Sequence, residues 1–283
     1  MLGRASLVLV LGVALGMPGP ATADERADAI ADVERLGGKV EVKSGGGAPV
    51  VEAVFLTDGR VADRDLDLLA AFPEVKRLTL TDAAVTDAGM KLIGRLARLE
   101  SLYLQDTAVT DAGLIPLKRL TALHGLNLSG TQVTDRGLAH VGQMKGLDML
   151  RLDRTAVTDA GLTHLSGLAD LWVLGLERTA VTDAGLKHLA GFGKLDCLDL
   201  GGTRVTDAGM KEVAGLKQLT RLGLNGTAVT DEGVRALRGL TGLRFVWLDE
   251  TKVTGRGLAE LQAAIPEVEW AEESGKRRRV PRR

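Results

Sequence analysis

Val-Thr-Asp-Ala-Gly-Leu, or a close variant, returns every 24 residues along this chain. Its Val falls at Val61, Val85, Val109, Val133, Val157, Val181, Val205, Val229 and Val253, with no slip across nine copies. A fixed period in the twenties, rich in Leu, restricts the chain to a solenoid. One short strand–turn–helix unit cannot bury its own apolar face and must stack on its neighbours. Such a molecule presents a long surface and needs no catalytic pocket.

The unit from Leu147 to Asp170 shows how one coil is built. Leu150 and Leu152 alternate with polar positions, the signal of a strand with one face in and one face out. Leu162, Leu165 and Leu168 follow at spacings of three, which suits a short helix on the back. Thr158 and Asp159 precede that helix, as an N-cap and a first-turn negative charge. Gly161 recurs at Gly89, Gly113, Gly137, Gly185, Gly209, Gly233 and Gly257. Gly is a poor helix former, so its recurrence predicts close backbone approach between coils. Thr155 recurs at Thr107, Thr131, Thr179, Thr203, Thr227 and Thr251, where the chain leaves the strand. Its hydroxyl is expected to bond the backbone of the adjacent coil and so satisfy buried polar groups.

L-x-x-L-x-L followed by T-x-V-T-D-x-G-L resembles the leucine-rich repeats. It is most similar to the subtype shared by F-box-associated repeat proteins and many secreted bacterial repeat proteins. The resemblance covers about residues 51–270. It implies an α/β leucine-rich-repeat solenoid, a right-handed horseshoe with short parallel strands on the concave face and short helices on the convex face. It also implies protein–protein interaction on the concave face. One departure is that Thr stands where the family's ladder usually carries Asn or Cys.

The two ends break the repeat. Residues 1–23 read as a secretory signal: Arg4, an apolar stretch from Ala5 to Met17, and Ala21-Thr22-Ala23 before the expected cut. An uncleaved anchor is the alternative. Residues 24–50 read as an N-terminal cap, with a helix over Asp24–Leu36, a strand over Lys39–Val42 and a Gly-rich loop from Ser44 to Pro49. Residues 51–264 hold nine repeats, and residues 265–274 a closing strand in which Trp270 covers the last coil. Residues 275–283 carry Lys276, Arg277, Arg278, Arg279, Arg282 and Arg283 without an apolar pattern, the composition of a basic disordered tail.

Residues 24–275 hold 29 basic against 37 acidic side chains, a net of −8, while the tail is strongly basic. No body-wide basic stripe exists, so a nucleic-acid partner is not expected. Cys197 is the single cysteine, so no intramolecular disulfide can form. The P-loop pattern, H-E-x-x-H and the G-x-S-x-G elbow are all missing from the sequence. The expectation is therefore no enzyme, no catalytic residue, no cofactor and no metal. Two columns were natural candidates for a metal. His140, His164 and His188 share one repeat position, but neighbouring helices lie about 8–10 Å apart, too far for one ion to be shared. Asp63, Asp87, Asp111, Asp135, Asp159, Asp183, Asp207 and Asp231 could line up for calcium, but each is expected to be stabilised by its own helix N-terminus. Asn127-Leu128-Ser129 and Asn225-Gly226-Thr227 match the N-glycosylation pattern and fall on repeat positions.

If Leu150 and Leu152 point in, Met149, Arg151 and Asp153 point out. The outward columns vary while the frame stays fixed, as on a recognition surface. Aromatics make up only 3% of the chain, yet Tyr103, Trp172, Phe245 and Trp247 map to outward strand positions. Aromatics and Arg dominate binding hot spots. The candidate partner-binding residues are Tyr103, Gln105, Asn127, Arg151, Asp153, Trp172, Glu177, Asp199, Arg221, Phe245 and Trp247. The reading is a non-enzymatic, monomeric protein, secreted or in the periplasm or cell envelope, that binds a protein or peptide. One alternative is an envelope-associated structural protein anchored by weak contact of Lys276–Arg283 with an anionic surface. By family analogy, another is an F-box-like substrate-recognition role.

Overall fold

In the computed structural model the described residues are 22–43, 50–271 and 277–278. Residues 1–21 of the expected leader, the Gly-rich loop and most of the basic tail lie outside them, while Thr22 and Ala23, before the expected cut, lie within the start of the first helix. The strands are β1 (Lys39–Lys43), β2 (Val50–Phe55), β3 (Arg77–Thr79), β4 (Ser101–Tyr103), β5 (Gly125–Asn127) and β6 (Met149–Arg151). They continue as β7 (Val173–Gly175), β8 (Cys197–Asp199), β9 (Arg221–Gly223), β10 (Phe245–Trp247), β11 (Glu269–Ala271) and β12 (Arg277–Arg278). All twelve form one sheet in sequence order. From β2 to β11 the strands run parallel, and each residue pairs with the residue 24 positions on, as Leu150 does with Leu174. Only the two outermost strands are antiparallel. The sequence pattern left the tail without an element, whereas the backbone of Arg277–Arg278 pairs with β11. Backbone pairing is indifferent to side-chain polarity, so hydropathy could not signal it.

The period explains this register. From β3 to β9 each coil places Leu at the strand centre and again two residues later, and those side chains are fully buried from Leu78 to Leu224. A slip of one residue would turn all of them out to solvent. After the second Leu and one further residue, each coil turns through a residue in the left-handed region. These are Asp82, Asp106, Gly130, Arg154, Arg178, Gly202, Gly226 and Glu250, with φ between 53° and 69°. The following Thr steadies that bend within its own coil: Thr155 Oγ1 donates to Leu152 O at 2.6 Å, and Thr179 Oγ1 to Leu176 O at 2.7 Å. This corrects the expected bond to the adjacent coil. The carbonyl three residues back lies within reach across the bend, so the hydroxyl closes a local turn.

Short helices on the other face are capped by the second Thr of each repeat. Thr158 Oγ1 accepts the Ala160 N–H at 3.2 Å, and Thr134, Thr182 and Thr230 repeat the cap. Helical segments are brief and several are 3-10 in part, such as Thr163–Gly167 and Lys187–Gly191. Asp111–Arg119 is 3-10 throughout and contains Pro116, which has no N–H to give. A coil of 24 residues leaves too little chain for a longer helix.

The Asp column works between coils, which corrects the expectation that each Asp serves its own helix. Asp159 Oδ1 accepts the Thr182 N–H at 2.8 Å and Oδ2 accepts the Thr182 hydroxyl at 2.6 Å, 23 residues ahead. The same pair of bonds recurs from Asp63–Thr86 to Asp231–Thr254. The recurrent Gly makes room for it. A Cβ on Gly161 would stand 2.5 Å from Asp135 Oδ1 of the preceding coil. Close approach was expected there, but its partner is a carboxylate rather than backbone.

Both ends of the solenoid are covered. Helix α1 (Ala23–Arg35) opens with a capping box between Thr22 and Glu25 and buries Ala29 and Val33 on the first coil. At Gly38 a Cβ would meet Phe55 O at 2.5 Å, so only glycine lets the helix turn into β1 there. At the other end Trp270 is 8% exposed and sits in β11 beside Val246 of β10.

Candidate functional site

The strand face carries the chemistry that differs from coil to coil. Its outward positions flank the buried Leu column, and their exposure separates open side chains from frame. Tyr103 and Gln105 are half-buried neighbours, and Gln105 Oε1 accepts the Thr81 hydroxyl at 3.0 Å. Asn127 is only 5% exposed, because its Oδ1 turns down to accept the Ser129 N–H at 3.0 Å. Asp153 is 7% exposed and accepts from Glu177 N at 2.9 Å, Ser129 Oγ at 3.1 Å and Arg151 Nη1 at 3.4 Å. Both were expected to be open to a partner. They lie on that face, but their hydrogen bonds hold them in the frame. Gly175 makes this possible, since a Cβ there would come within 2.5 Å of Asp153 Oδ1.

Trp172 is 42% exposed, yet it sits one residue before β7 and not in the strand itself. It belongs to the rim, between Asp148 and Asp196 in the same column. Arg221 turns to that rim and donates Nη2 to Asp196 Oδ2 at 2.6 Å, while its buried Nε finds no partner among the described residues. Cys197 lies half-buried on the strand face, which its sequence context did not reveal. Burial pushes its thiol up, opposed by the Arg221 and Arg151 charges, which disfavours the thiolate.

Glu177 and Asp199 are the strained carboxylates of this face. Burial raises the carboxyl of Glu177, and the Asp199 and Asp153 charges add to it while Arg178 opposes. Burial also raises Asp199, opposed by the hydrogen bond from Gly201 N at 3.0 Å. Phe245 and Trp247 are half-buried on β10, with ring centroids 6.5 Å apart and planes tilted by 31°. The Trp270 side chain points the other way, into the core, so it does not cover them.

The structure thus gathers Arg151, Glu177, Asp199, Arg221, Phe245 and Trp247 on β6 to β10 and the turn after β7, and leaves Tyr103 and Gln105 towards the N-terminal end. Arg154, which is not among the candidate residues, sits at the bend after β6. It reaches across Gly130 to Asp106, with Nη1 to Oδ1 at 2.9 Å and Nη2 to Oδ2 at 3.0 Å. Their separation of 48 residues is two periods, which a search within one coil does not reach. Among the described residues no group of three or more His, Cys, Asp or Glu is placed to hold a metal ion. No helix among them is long and apolar enough to cross a membrane.

No protein-family model and no curated protein sequence matches this chain. Solved structures do. An internalin C2 of Listeria monocytogenes is 26% identical over 82% of this chain and 88% of that chain, with a TM-score of 0.52. A leucine-rich-repeat protein of Leptospira interrogans is 19% identical over 73% of this chain and 62% of its own, with a TM-score of 0.48. A TDR receptor is 13% identical over 78% of this chain and 42% of that chain, with a TM-score of 0.50. In-register parallel strands, a repeated helix on the back and the likeness to internalin C2 define one class. This chain is a leucine-rich-repeat solenoid protein.

Proposed function

We propose that this protein is a non-enzymatic scaffold that binds a protein or peptide across its concave strand face, outside the cytoplasm. One observation carries the reading. On a frame held constant by Leu, Thr, Asp and Gly, the half-exposed side chains Tyr103, Arg151, Phe245 and Trp247 occupy strand-face positions whose residues vary along the array. Aromatic and Arg side chains at the centre of a face, with polar groups around them, are the composition of a hot spot. The helix face instead repeats short capped turns. The residues read as an export signal support the location.

The test is capture from the envelope fraction of the producing cell, followed by affinity measurement with the captured partner. Tyr103→Ala and Trp247→Ala should each weaken binding, Trp247→Ala by about 2 kcal/mol or more, with little change in melting temperature. Ile115→Ala, on the exposed helix side, should not. Partner binding that survives every strand-face substitution would sink the reading. The six basic residues of Lys276–Arg283 favour a second one, envelope association through the tail. Deleting them should then release the protein from anionic vesicles while leaving partner binding intact.

A further inference from the structure

We infer that the helix side of two successive coils, around Ile115, is a docking surface for an anionic phospholipid bilayer. This surface is separate from the strand face, so the inference goes beyond the strand-face reading and does not depend on it.

Four cationic side chains stand here in neighbouring coils. Lys91 lies in the helical segment Asp87–Ile93 and Arg95 just beyond it, while Lys118 and Arg119 close the segment Asp111–Arg119. All four are exposed. Arg95 and Arg119 hold the same repeat position, and neighbouring helices lie about 8–10 Å apart, so the charges share one patch. The acidic residues of 87–99 and 111–123 are Asp87 and Asp111 alone. Each opens its segment and is bonded to the Thr of the next coil. At about 2.0 Å per residue, Asp111 stands roughly 16 Å from Arg119, beyond the Debye length of about 8 Å. Asp67 and Asp87 are the carboxylates nearest Lys91 in the repeat, and neither forms an ion pair with it among the described residues. The ion pairs at the edge of the patch join Arg98 to Glu74 and Lys76 to Glu100.

The frame does not call for these residues. A cation near a helix C-terminus is favourable in any coil. Yet the position of Arg95 and Arg119 reads Gln143 in the next coil and then Gly167, Gly191, Gly215 and Gly239. Ile115 is 44% exposed, and among the described residues no other large apolar side chain is as open on the helix side. Its position holds Lys91, Ala139 and Thr163 in the flanking coils, so packing needs no apolar group there. Half-buried Leu92 and Pro116 widen the apolar centre. An apolar centre among long cationic side chains suits the boundary of an anionic bilayer. The surface potential draws the cations, and the apolar group enters the headgroup layer. An acidic polypeptide would match the charges but offers no apolar layer to Ile115. The body as a whole is net acidic, so an anionic surface attracts this patch, repels the rest and orients the solenoid. Contact on the helix side leaves the strand face open.

The experiment is co-sedimentation of the full chain with two kinds of vesicle, phosphatidylcholine alone and phosphatidylcholine with about a third phosphatidylglycerol, which supplies the anionic surface. The chain should bind the anionic vesicles and not the neutral ones. Lys118→Gln with Arg119→Gln should weaken that binding by about tenfold or more. Lys118→Arg with Arg119→Lys keeps both charges and should bind like the parent. Lys187→Gln with Lys211→Gln removes two exposed lysines from the helix side of later coils. It makes the same change in net charge and should cost much less. Ile115→Ser should weaken binding severalfold. Equal binding to both vesicles, no loss with the Lys118 and Arg119 pair, or equal loss with the two neutralised pairs would each overturn the inference. Binding to poly-glutamate and to neither vesicle would assign the patch to an acidic protein segment and overturn it as well. The tail reading fails separately. If deleting Lys276–Arg283 releases the chain while Lys118→Gln with Arg119→Gln stays bound, the tail reading stands and this patch is refuted. The reverse result refutes the tail and leaves the patch. Release in both supports both contacts, since stable surface attachment takes two signals.

Discussion

Asp159 of one coil holds Thr182 of the next with both carboxylate oxygens, Oδ1 on the N–H at 2.8 Å and Oδ2 on the hydroxyl at 2.6 Å. The Thr182 hydroxyl in turn accepts Ala184 N–H at 3.2 Å. One carboxylate therefore fixes the start of the following helix, and the relay runs in one direction along the solenoid. Its ends are visible in the sequence. Ala62 stands where a receiving Thr would be, with no Asp behind it, and Gly255 replaces the Asp that would have no coil to hold.

Breaking one joint should cost more than an ordinary surface change. Asp159→Ala leaves the Thr182 N–H and hydroxyl unpaired and is expected to destabilise by about 1–3 kcal/mol. Thr182→Val should cost less, and the double variant should cost less than the sum, since both remove the same bonds. Urea unfolding of the four proteins measures the coupling, and strict additivity would show that the relay is not a unit. At the last joint, the Thr254 N–H and hydroxyl hold the Asp231 carboxyl below its ordinary range. Its contribution is present above the unfolded carboxylate pKa and is lost as pH falls through the lower folded value. Asp231→Ala should therefore flatten that part of the acid-unfolding curve.

Two glycines give opposite signs. Gly209→Ala would place a Cβ 2.5 Å from Asp183 Oδ1 and 2.7 Å from Leu186 Cδ1. Helix propensity alone favours Ala by up to about 1 kcal/mol, but the overlap should prevail and destabilise by roughly 1–3 kcal/mol. Gly193→Ala meets nothing within 4 Å and is exposed. It should be neutral or stabilise by up to about 1 kcal/mol, by restricting the unfolded chain. Thermal melts decide this, and equal effects would mean that the recurrent glycine does not make room for the carboxylate.

The repeat period made the fold legible. Burial of Leu150, Leu152 and Leu174 follows from a two-residue alternation, and the 24-residue register follows from the period. Hydrogen-bond partners were less legible. Sequence spacing places Thr155 and Asp159 near a coil boundary but cannot say whether a partner lies in the same coil or the next. The site was legible only as a face. Asn127 and Asp153 occupy the expected face, yet small neighbours such as Gly175 let Asp153 fold down into hydrogen bonds. Trp172 was misplaced by one residue because a three-residue strand has little pattern to mark where it begins.

Leu174→Ala and Glu177→Ala test the inside and outside of one coil. Leu174 is fully buried at the centre of β7, and its truncation should cost about 2–5 kcal/mol. The Glu177 side chain is half-exposed and its backbone N–H, not its carboxylate, makes the bond to Asp153. Its truncation should stay within about 0.5 kcal/mol. Chemical denaturation with far-ultraviolet circular dichroism gives both midpoints. Similar midpoints would mean that the register is wrong.

Asp199 should be a residue whose charge weakens the fold. Burial raises its carboxyl, so the folded protein binds this proton more readily than the unfolded chain does. Stability from this group therefore falls as pH rises from the unfolded value, about 3.9, through the higher folded one. Above that window the penalty is constant. Asp199→Asn carries no such charge and still offers Oδ1 to Gly201 N, so it should unfold at higher denaturant than the parent at neutral pH. The gap should close as pH drops below the unfolded carboxylate range. Denaturation midpoints at several pH values measure it, and a variant less stable than the parent at neutral pH would show that the carboxylate already has an internal counter-charge.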